Sequence, residues 1–262
     1  MVQRINEDKR IKSRKRKSLF RKFLAVSWIL LSVVIFFGVI FGLNYFYNSS
    51  YFKIKYVRLK NNKSYDTQDI TSYLKDIIGK NIFEVNKKSI EDLLVNNFPK
   101  IKSAKLEKIF PDTIVISIVE REQYLIINHK SNFFLIDNEG VVIDNITKNK
   151  DDYKNLIVVE DCLNHQPEIG ENIGVKNVLS IGEIYNSFND FVKSKIKSAG
   201  IEIDKFGDIF FRTIDDKLII YGSKSEMIKK NLILEEIFKE IENEEISYSI
   251  IDIRITDNPI IK

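Results

Sequence analysis

One uninterrupted apolar run limits what this chain can be. No charged side chain occurs between residues 23 and 52. The most apolar part, residues 23–47, reads FLAVSWILLSVVIFFGVIFGLNYFY. As a helix rising about 1.5 Å per residue it reaches roughly 37 Å, against a hydrocarbon core of about 30 Å. The run therefore predicts a transmembrane helix over 23–47, slightly tilted, with membrane lipid around it. Tyr45, Tyr47 and Tyr51 suit the outer interface, where aromatic rings settle. A cleaved signal peptide is the rival reading. The run is too long for one, and no small-x-small cleavage site follows it. Gly38 and Gly42 form a GxxxG pair, which lets a second helix approach closely. Such pairs also arise by chance, so helix packing here is an expectation and no more.

The charge distribution sets the direction of the span. Residues 1–22 hold ten Lys or Arg against Glu7 and Asp8. Of 41 basic and 37 acidic residues in the chain, 31 and 35 remain for the rest. Basicity is thus a property of the tail. Beside an apolar span such a tail acts as a topology signal and a contact for anionic headgroups. It predicts a cytoplasmic tail over 1–22 and an extracytoplasmic body. The body has no basic excess with which to attract a polyanion, so nucleic acid is not an expected partner.

The body must fold by core burial alone, because the single cysteine, Cys162, cannot form an intrachain disulfide. About 215 residues suffice for that. Cys162 itself reads as a small, partly buried residue.

The first stretch after the span can be read element by element. Phe52-Lys-Ile-Lys-Tyr alternates, and Val57 and Leu59 continue the strand. A helix is predicted from about Asp66, which serves as N-cap with Asp69 at N3. Ile70, Leu74 and Ile77 share its buried face, and Gly79 ends it. A second helix starts near Asn86, buries Ile90, Leu93 and Leu94, and stops at Phe98-Pro99. Strands over 101–109 and 114–120 follow, joined by Phe110-Pro-Asp-Thr113, with Ile114, Ile116 and Ile118 on one face. The order is β-α-α-β-β.

That order, directly after a membrane anchor, resembles the POTRA domain of the FtsQ/DivIB family of bacterial cell-division proteins. The residues that carry the likeness are Val57-Arg-Leu-Lys-Asn-Asn, Gly79-Lys-Asn-Ile-Phe-Glu-Val-Asn, the run from Phe98 to Phe110-Pro-Asp-Thr, and Ile116-Ser-Ile-Val-Glu-Arg. The family's closing motif usually ends in proline, where Gln123 stands here. Phe110-Pro111 replaces a tryptophan-proline pair. The likeness continues through Asn132-Phe-Phe-Leu-Ile-Asp-Asn-Glu-Gly-Val-Val, where Asp137 and Gly140 supply turn chemistry. It ends with Lys217-Leu-Ile-Ile-Tyr-Gly, a helix from about Ser225, and a last strand holding Ile251-Asp-Ile-Arg254. Ser223-x-x-Glu226 reads as a capping box for that helix, with Leu234, Ile237, Phe238 and Ile241 on its buried face. The expected fold class is α+β: a transmembrane helix, a POTRA domain over 52–122, and a second mixed domain over 123–262 built on an antiparallel-rich sheet.

Catalytic signals are lacking. His129 and His165 lie far apart and read as solvated loop residues rather than metal ligands. No G-x-S-x-G, P-loop or G-x-G-x-x-G occurs. Ser-x-x-Lys strings begin at Ser50, Ser72 and Ser194, the chance level in so lysine-rich a chain, and no S-D-N or K-T-G accompanies them. Neither an enzyme activity nor a cofactor or metal is expected.

The resemblance instead implies a scaffold at the division septum. It implies binding to FtsL-like and FtsB/DivIC-like bitopic proteins and a link to the septal peptidoglycan synthase machinery. It places the partner strand at residues 247–255. Side chains alternate along a strand, so Tyr248, Ile250, Asp252 and Arg254 are the expected partner-facing set. Ser249, Ile251 and Ile253 then face the core. An ordinary closing strand without a partner is the plainer reading. A membrane-anchored wall enzyme and a POTRA-bearing transport component are alternatives of other classes.

Overall fold

The computed structural model describes residues 26–146, 153–174, 176–202 and 207–262. The basic tail and the first residues of the apolar run lie outside the described residues. Helix α1, Val26–Tyr47, spans 22 residues with a mean hydropathy of 2.6 and no part buried against the rest of the chain. It is long and apolar enough to cross a membrane.

The next elements follow the β-α-α-β-β order. They are β1 (Tyr56–Lys60), α2 (Thr67–Tyr73), α3 (Lys87–Asn97), β2 (Ile101–Ile109) and β3 (Thr113–Glu120). The strands form one three-stranded sheet in the order β1-β3-β2. Asp66 starts α2 as expected, its Oδ1 accepting from the Gln68 amide at 3.0 Å. Ile70, Leu74 and Ile77 are buried, although the helix tightens into a 3₁₀ turn at Lys75–Ile77 before Gly79. Asn86 caps α3 through the Ser89 amide at 3.4 Å. Of the three apolar side chains expected on its inner face, Leu94 is fully buried and Ile90 and Leu93 are half-buried. Ile114, Ile116 and Ile118 are buried together along β3.

By contact density the chain divides into two units. One gathers residues up to Arg58 with Tyr73–Val85 and Glu107–Val115. The other gathers Leu59–Ser72, Asn86–Leu106 and Ile116–Lys262.

The second unit is built on a nine-stranded sheet. Its strands are β4 (Gln123–His129), β5 (Asn132–Asp137), β6 (Val142–Ile146), β7 (Val158–Glu160), β8 (Ile196–Ile201), β9 (Ile209–Thr213), β10 (Leu218–Gly222), β11 (Ile250–Asp252) and β12 (Ile260–Ile261). The order across the sheet is β12-β11-β10-β9-β8-β7-β4-β5-β6. Two antiparallel meanders, β4-β5-β6 and β8-β9-β10, are joined in the middle by β7, which runs parallel to both of its neighbours. Helices α4 (Lys176–Ser187), α5 (Asp190–Lys193) and α6 (Met227–Glu244) complete the unit. Val178, Ile181, Ile184 and Tyr185 of α4 and Leu234, Ile237 and Phe238 of α6 join the main core beneath the sheet, with Ile241 packed at its margin. Strand β4 is buried on both faces. Leu125 and Ile127 enter that main core, while Ile126 enters a smaller cluster with Leu135 and Ile143. A continuous apolar run is what such a strand requires.

Three expectations need correction. The Ser223-x-x-Glu226 capping box does not form. Glu226 is itself the N-cap residue of α6, in a left-handed conformation at φ 53 and without a side-chain cap. Ser223 bonds Ser225 instead. His129 is not a solvated loop residue. It closes β4 and is buried, with Nδ1 unpartnered. His165 is exposed and pairs with Glu171 at 2.8 Å. The last strand is far shorter than 247–255, because only Ile250–Asp252 holds strand geometry. Cys162 is half-buried as expected, and burial pushes its thiol up to about 12, so it is protonated at neutral pH.

The Glu120-Arg121 motif organises the start of the sheet. Glu120 accepts from the Lys63 and Ser64 amides and the Ser64 hydroxyl at 2.6–2.8 Å. Arg121 turns the other way. Its guanidinium donates to Asp137 at 2.6 Å and Glu139 at 3.0 Å. Asp137 is fully buried and also accepts from the Glu139 and Val141 amides, around a turn in which Gly140 holds φ 85. A side chain there would be strained. Lys102 pairs with Glu139 at 2.9 Å and Lys100 with Asp144 at 2.7 Å. Together Lys102 and Arg121 hold the Glu139 carboxyl below its usual range. Removing one member of a buried ion pair leaves an uncompensated charge. We therefore predict that Arg121→Ala costs about 3–5 kcal/mol of stability, whereas Lys102→Ala, at an exposed pair, costs no more than about 1 kcal/mol. Denaturant unfolding of the full chain in detergent micelles measures both. Equal effects from the two substitutions would sink this account.

Candidate functional site

The sequence points to the C-terminal strand, and the structure shows how that region is built. Strand β11 lies parallel to β10, with Leu218, Ile219 and Ile220 opposite Ile250, Ile251 and Asp252. The ladder continues past the strand, since the Ile253 amide donates to the Ile220 carbonyl at 3.0 Å. The chain then turns at Ile255–Asn258 and returns as β12, antiparallel to β11. Ile261 and Ile260 face Ile251 and Asp252. The Lys262 carbonyl accepts from the Ser249 and Ile250 amides, and its own amide donates to Ile250. The outer edge of β11 is thus occupied by the chain itself.

The four expected partner-facing residues separate. Ile251 and Ile253 are buried in the core, and Ile250, Asp252 and Arg254 lie on the opposite side, as alternation requires. Tyr248 does not join them. It precedes the strand, where alternation no longer applies, and packs half-buried against the main core. Ser249, expected inside, is exposed. Gly38 and Gly42 lie on the exposed surface of α1 with nothing near the place a Cβ would take.

Arg254 makes the local structure. Its Nε and one terminal nitrogen clasp the Asp252 carboxylate at 2.6–3.2 Å, and the other terminal nitrogen reaches Asp208 at 3.2 Å. Its aliphatic stem lies over Gly222, where a Cβ would come within 2.8 Å of the Arg254 Cγ. Gly222 also holds φ 76, so both contact and conformation demand glycine. The same turn is gripped by Lys230, a buried lysine whose ammonium donates to the Tyr221 and Ser223 carbonyls at 3.0 Å each and sits over the Tyr221 ring. Burial pushes the Lys230 ammonium below its usual value. Lys230 and Asp208 were invisible as partners of this edge in the sequence. Lys230 looks like one of many surface lysines, and Asp208 lies 46 residues from Arg254.

Exposed apolar side chains border the edge: Ile255 at 67%, Ile260 at 41% and Ile261 at 36%. The site offers backbone groups, aliphatic surface and one clasped guanidinium. Among the described residues no group of three or more His, Cys, Asp or Glu is placed to hold a metal.

The acid stability of this edge is predictable in sign. Burial alone would raise the Asp252 carboxyl, but the hydrogen bonds and charge of Arg254 hold it below its usual range. A carboxyl lowered by folding contributes stability that is present above its unfolded value, about pH 4, and is lost as pH falls through the folded value. We predict that Asp252→Asn lowers the denaturant midpoint at neutral pH and that the gap to the wild type narrows below about pH 4. A gap unchanged from pH 6 down to acid unfolding would remove the clasp from the explanation.

Comparison with known proteins agrees with this architecture. The model of the POTRA domain, FtsQ-type, matches residues 52–121. The chain is 33% identical over 123 residues to the cell division protein DivIB of Clostridium acetobutylicum, covering 47% of this chain and 48% of that one. That alignment spans about half the length of the relative. The match to the cell division protein DivIB of Clostridium botulinum strain Hall is 24% identical over 264 residues, covering 98% of this chain and 96% of the relative. The cell division protein FtsQ of Syntrophotalea carbinolica is 33% identical over 101 residues, covering 38% of this chain and 35% of that one. An apolar helix, an FtsQ-type POTRA domain over 52–121 and a larger sheet-rich domain thus stand together in a chain that is similar, along nearly its whole length, to a protein named cell division protein DivIB.

Proposed function

We propose that this protein serves cell division as a membrane-anchored, non-enzymatic scaffold. The supporting observation is the alignment along nearly its whole length with a protein named cell division protein DivIB. Helix α1 supplies the anchor. In this reading the basic tail lies in the cytoplasm and the rest of the chain outside, at the septum, following the positive-inside rule. The chain divides into the tail at 1–22, the span at 23–47, a POTRA domain at 52–122 and the sheet domain at 123–262.

The partners in this reading are FtsL-like and FtsB/DivIC-like bitopic proteins, which the scaffold joins to septal peptidoglycan synthesis. The β11–β12 edge is the docking surface. Strand β12 pairs with β11 through only two residue pairs. A longer incoming strand can add outside β12 or replace it, and replacement exchanges few hydrogen bonds. Ile250, Asp252 and Arg254 form its outward-facing side. Gly38 and Gly42 let a partner's transmembrane helix lie against α1.

Two outcomes are expected. Depletion of the protein leaves cells that elongate without septa and that lose FtsL-like and FtsB/DivIC-like proteins. Photoreactive residues at Ile255 and Ile260 crosslink to a small bitopic protein in living cells, while the same probe at Ser180 on α4 does not. Normal septation after depletion would overturn the division role. Septation defects without crosslinks from the edge would leave that role standing and remove the β11–β12 edge as its docking surface.

A further inference from the structure

Helix α1 ends in a cluster of rings rather than in solvent. The ring of Tyr47, the last residue of α1, stacks on Phe83 at 5.4 Å between centroids. Phe83 in turn meets Phe52 and Phe110, each at 5.1 Å. Phe52 also meets Phe46 and Tyr51 at 4.9 and 5.2 Å. The Asn81 amide donates to the Tyr47 carbonyl at 2.6 Å, tying the helix end to the segment that carries Phe83. Lys108 brings its ammonium to the Phe83 carbonyl at 3.3 Å. All of these residues belong to the first compact unit.

Only part of this cluster is a core. Phe52 is buried, but Phe83 and Phe110 remain 42% and 54% exposed, and Tyr51 59%. Large apolar side chains gathered in one exposed patch mark a surface that something covers. The covering material follows from the position of the patch. Two ring-to-ring steps, of 5.4 and 5.1 Å, lead from the end of α1 to Phe110. The headgroup layer beyond the hydrocarbon core is itself roughly 5–8 Å deep on each side. Aromatic rings with a neighbouring cation are the side chains that settle at this level.

We propose that Phe83 and Phe110, with Tyr51 and Lys108, form a lipid-binding face that seats this unit in the headgroup region of the leaflet from which the C-terminal end of α1 emerges. The ligand is the phospholipid interface itself. The face fixes the unit against the bilayer instead of leaving it to swing on the helix. This inference rests on the reading of α1 as a membrane span.

The test uses the full chain reconstituted into vesicles of phosphatidylglycerol and phosphatidylethanolamine, with a share of the lipid brominated on the acyl chain. Trp28 is the one tryptophan of the sequence and lies within α1, so its quenching by brominated lipid in the unaltered chain reports the span. Trp28→Phe combined with Phe110→Trp, and separately with Phe83→Trp, reports the face. We expect brominated lipid to quench the emission of both variants, with little quenching by aqueous iodide. If Trp28 is quenched by brominated lipid and the ring at 110 or 83 is not, the face is turned from the membrane and the proposal falls, with the span intact. Iodide then separates a ring open to water from one covered by protein, and either result overturns it. If Trp28 itself is unquenched, the span reading fails and the proposal fails with it.

Discussion

The pairing of Arg121 with a carboxylate that water cannot reach is the constraint around which the second unit is arranged. Asp137 is fully buried, so its charge must be matched on the spot. Arg121 matches it at 2.6 Å, and the Glu139 and Val141 amides satisfy the other oxygen. One carboxylate therefore fixes both the direction in which the chain leaves β3 and the turn that sends β5 into β6. Glu120, the adjacent residue, performs the matching task on the other side by gathering the Lys63 and Ser64 amides. Two consecutive charged residues thus fasten separate loops. A substitution of either is felt in backbone geometry, not only in surface charge.

The far end of the sheet uses the same device in a wetter setting. Arg254 clasps Asp252 and Asp208 over Gly222, while Lys230 holds the carbonyls on either side of that glycine from within. A left-handed glycine between two cations is a rigid corner. It sets the position at which β11 can run beside β10, which is a parallel pairing that no tight turn could supply. The 18 residues of α6 make the required crossover. Asp252 and Arg254 are therefore held in one arrangement by each other and by Asp208.

Much of the membrane-proximal stretch was legible because its signals are local. Asp66 and Asn86 cap helices within three residues of themselves, Gly79 and Pro99 punctuate, and Ile114, Ile116 and Ile118 alternate. The sheet domain was legible only in patches, for a physical reason. Its order depends on parallel partners distant in sequence, such as β7 beside β4 and β8, and β4 is apolar on both faces, so no period betrays its direction. The misread details share that origin. His129 looked like a loop residue because its burial is imposed by neighbouring strands. Glu226 looked like the third residue of a helix because a capping box is defined by spacing, whereas its backbone is left-handed and its carboxylate meets a partner 30 residues away, the Thr256 hydroxyl at 3.4 Å from both oxygens. The strand over 247–255 was overlong because an alternating pattern does not show where the ladder partner ends. Leu218–Gly222 is five residues long and faces β11 through only three of them.

The exposed apolar residues differ in kind between the two units. In the first unit those beyond α1 are mostly rings, Tyr51, Tyr56, Tyr73, Phe83 and Phe110, together with Ile78 and Ile109. In the second they are aliphatic: Val119, Ile169, Ile214, Ile228, Leu232, Ile255, Ile260 and Ile261. Tyrosine rings, apolar in body and polar at the tip, tolerate a boundary that is apolar on one side and wet on the other. Branched aliphatic residues favour a pleated surface, where they pack against cross-strand neighbours. Ile260 and Ile261 meet that description, lying on a two-residue strand at one end of the sheet order among the described residues. A chain meant only to fold would gain by hiding both sets, since neither is needed to complete a core already filled by Phe211, Tyr221 and Phe134. Rings crowd the segment after α1, and isoleucines the last strand of the sheet.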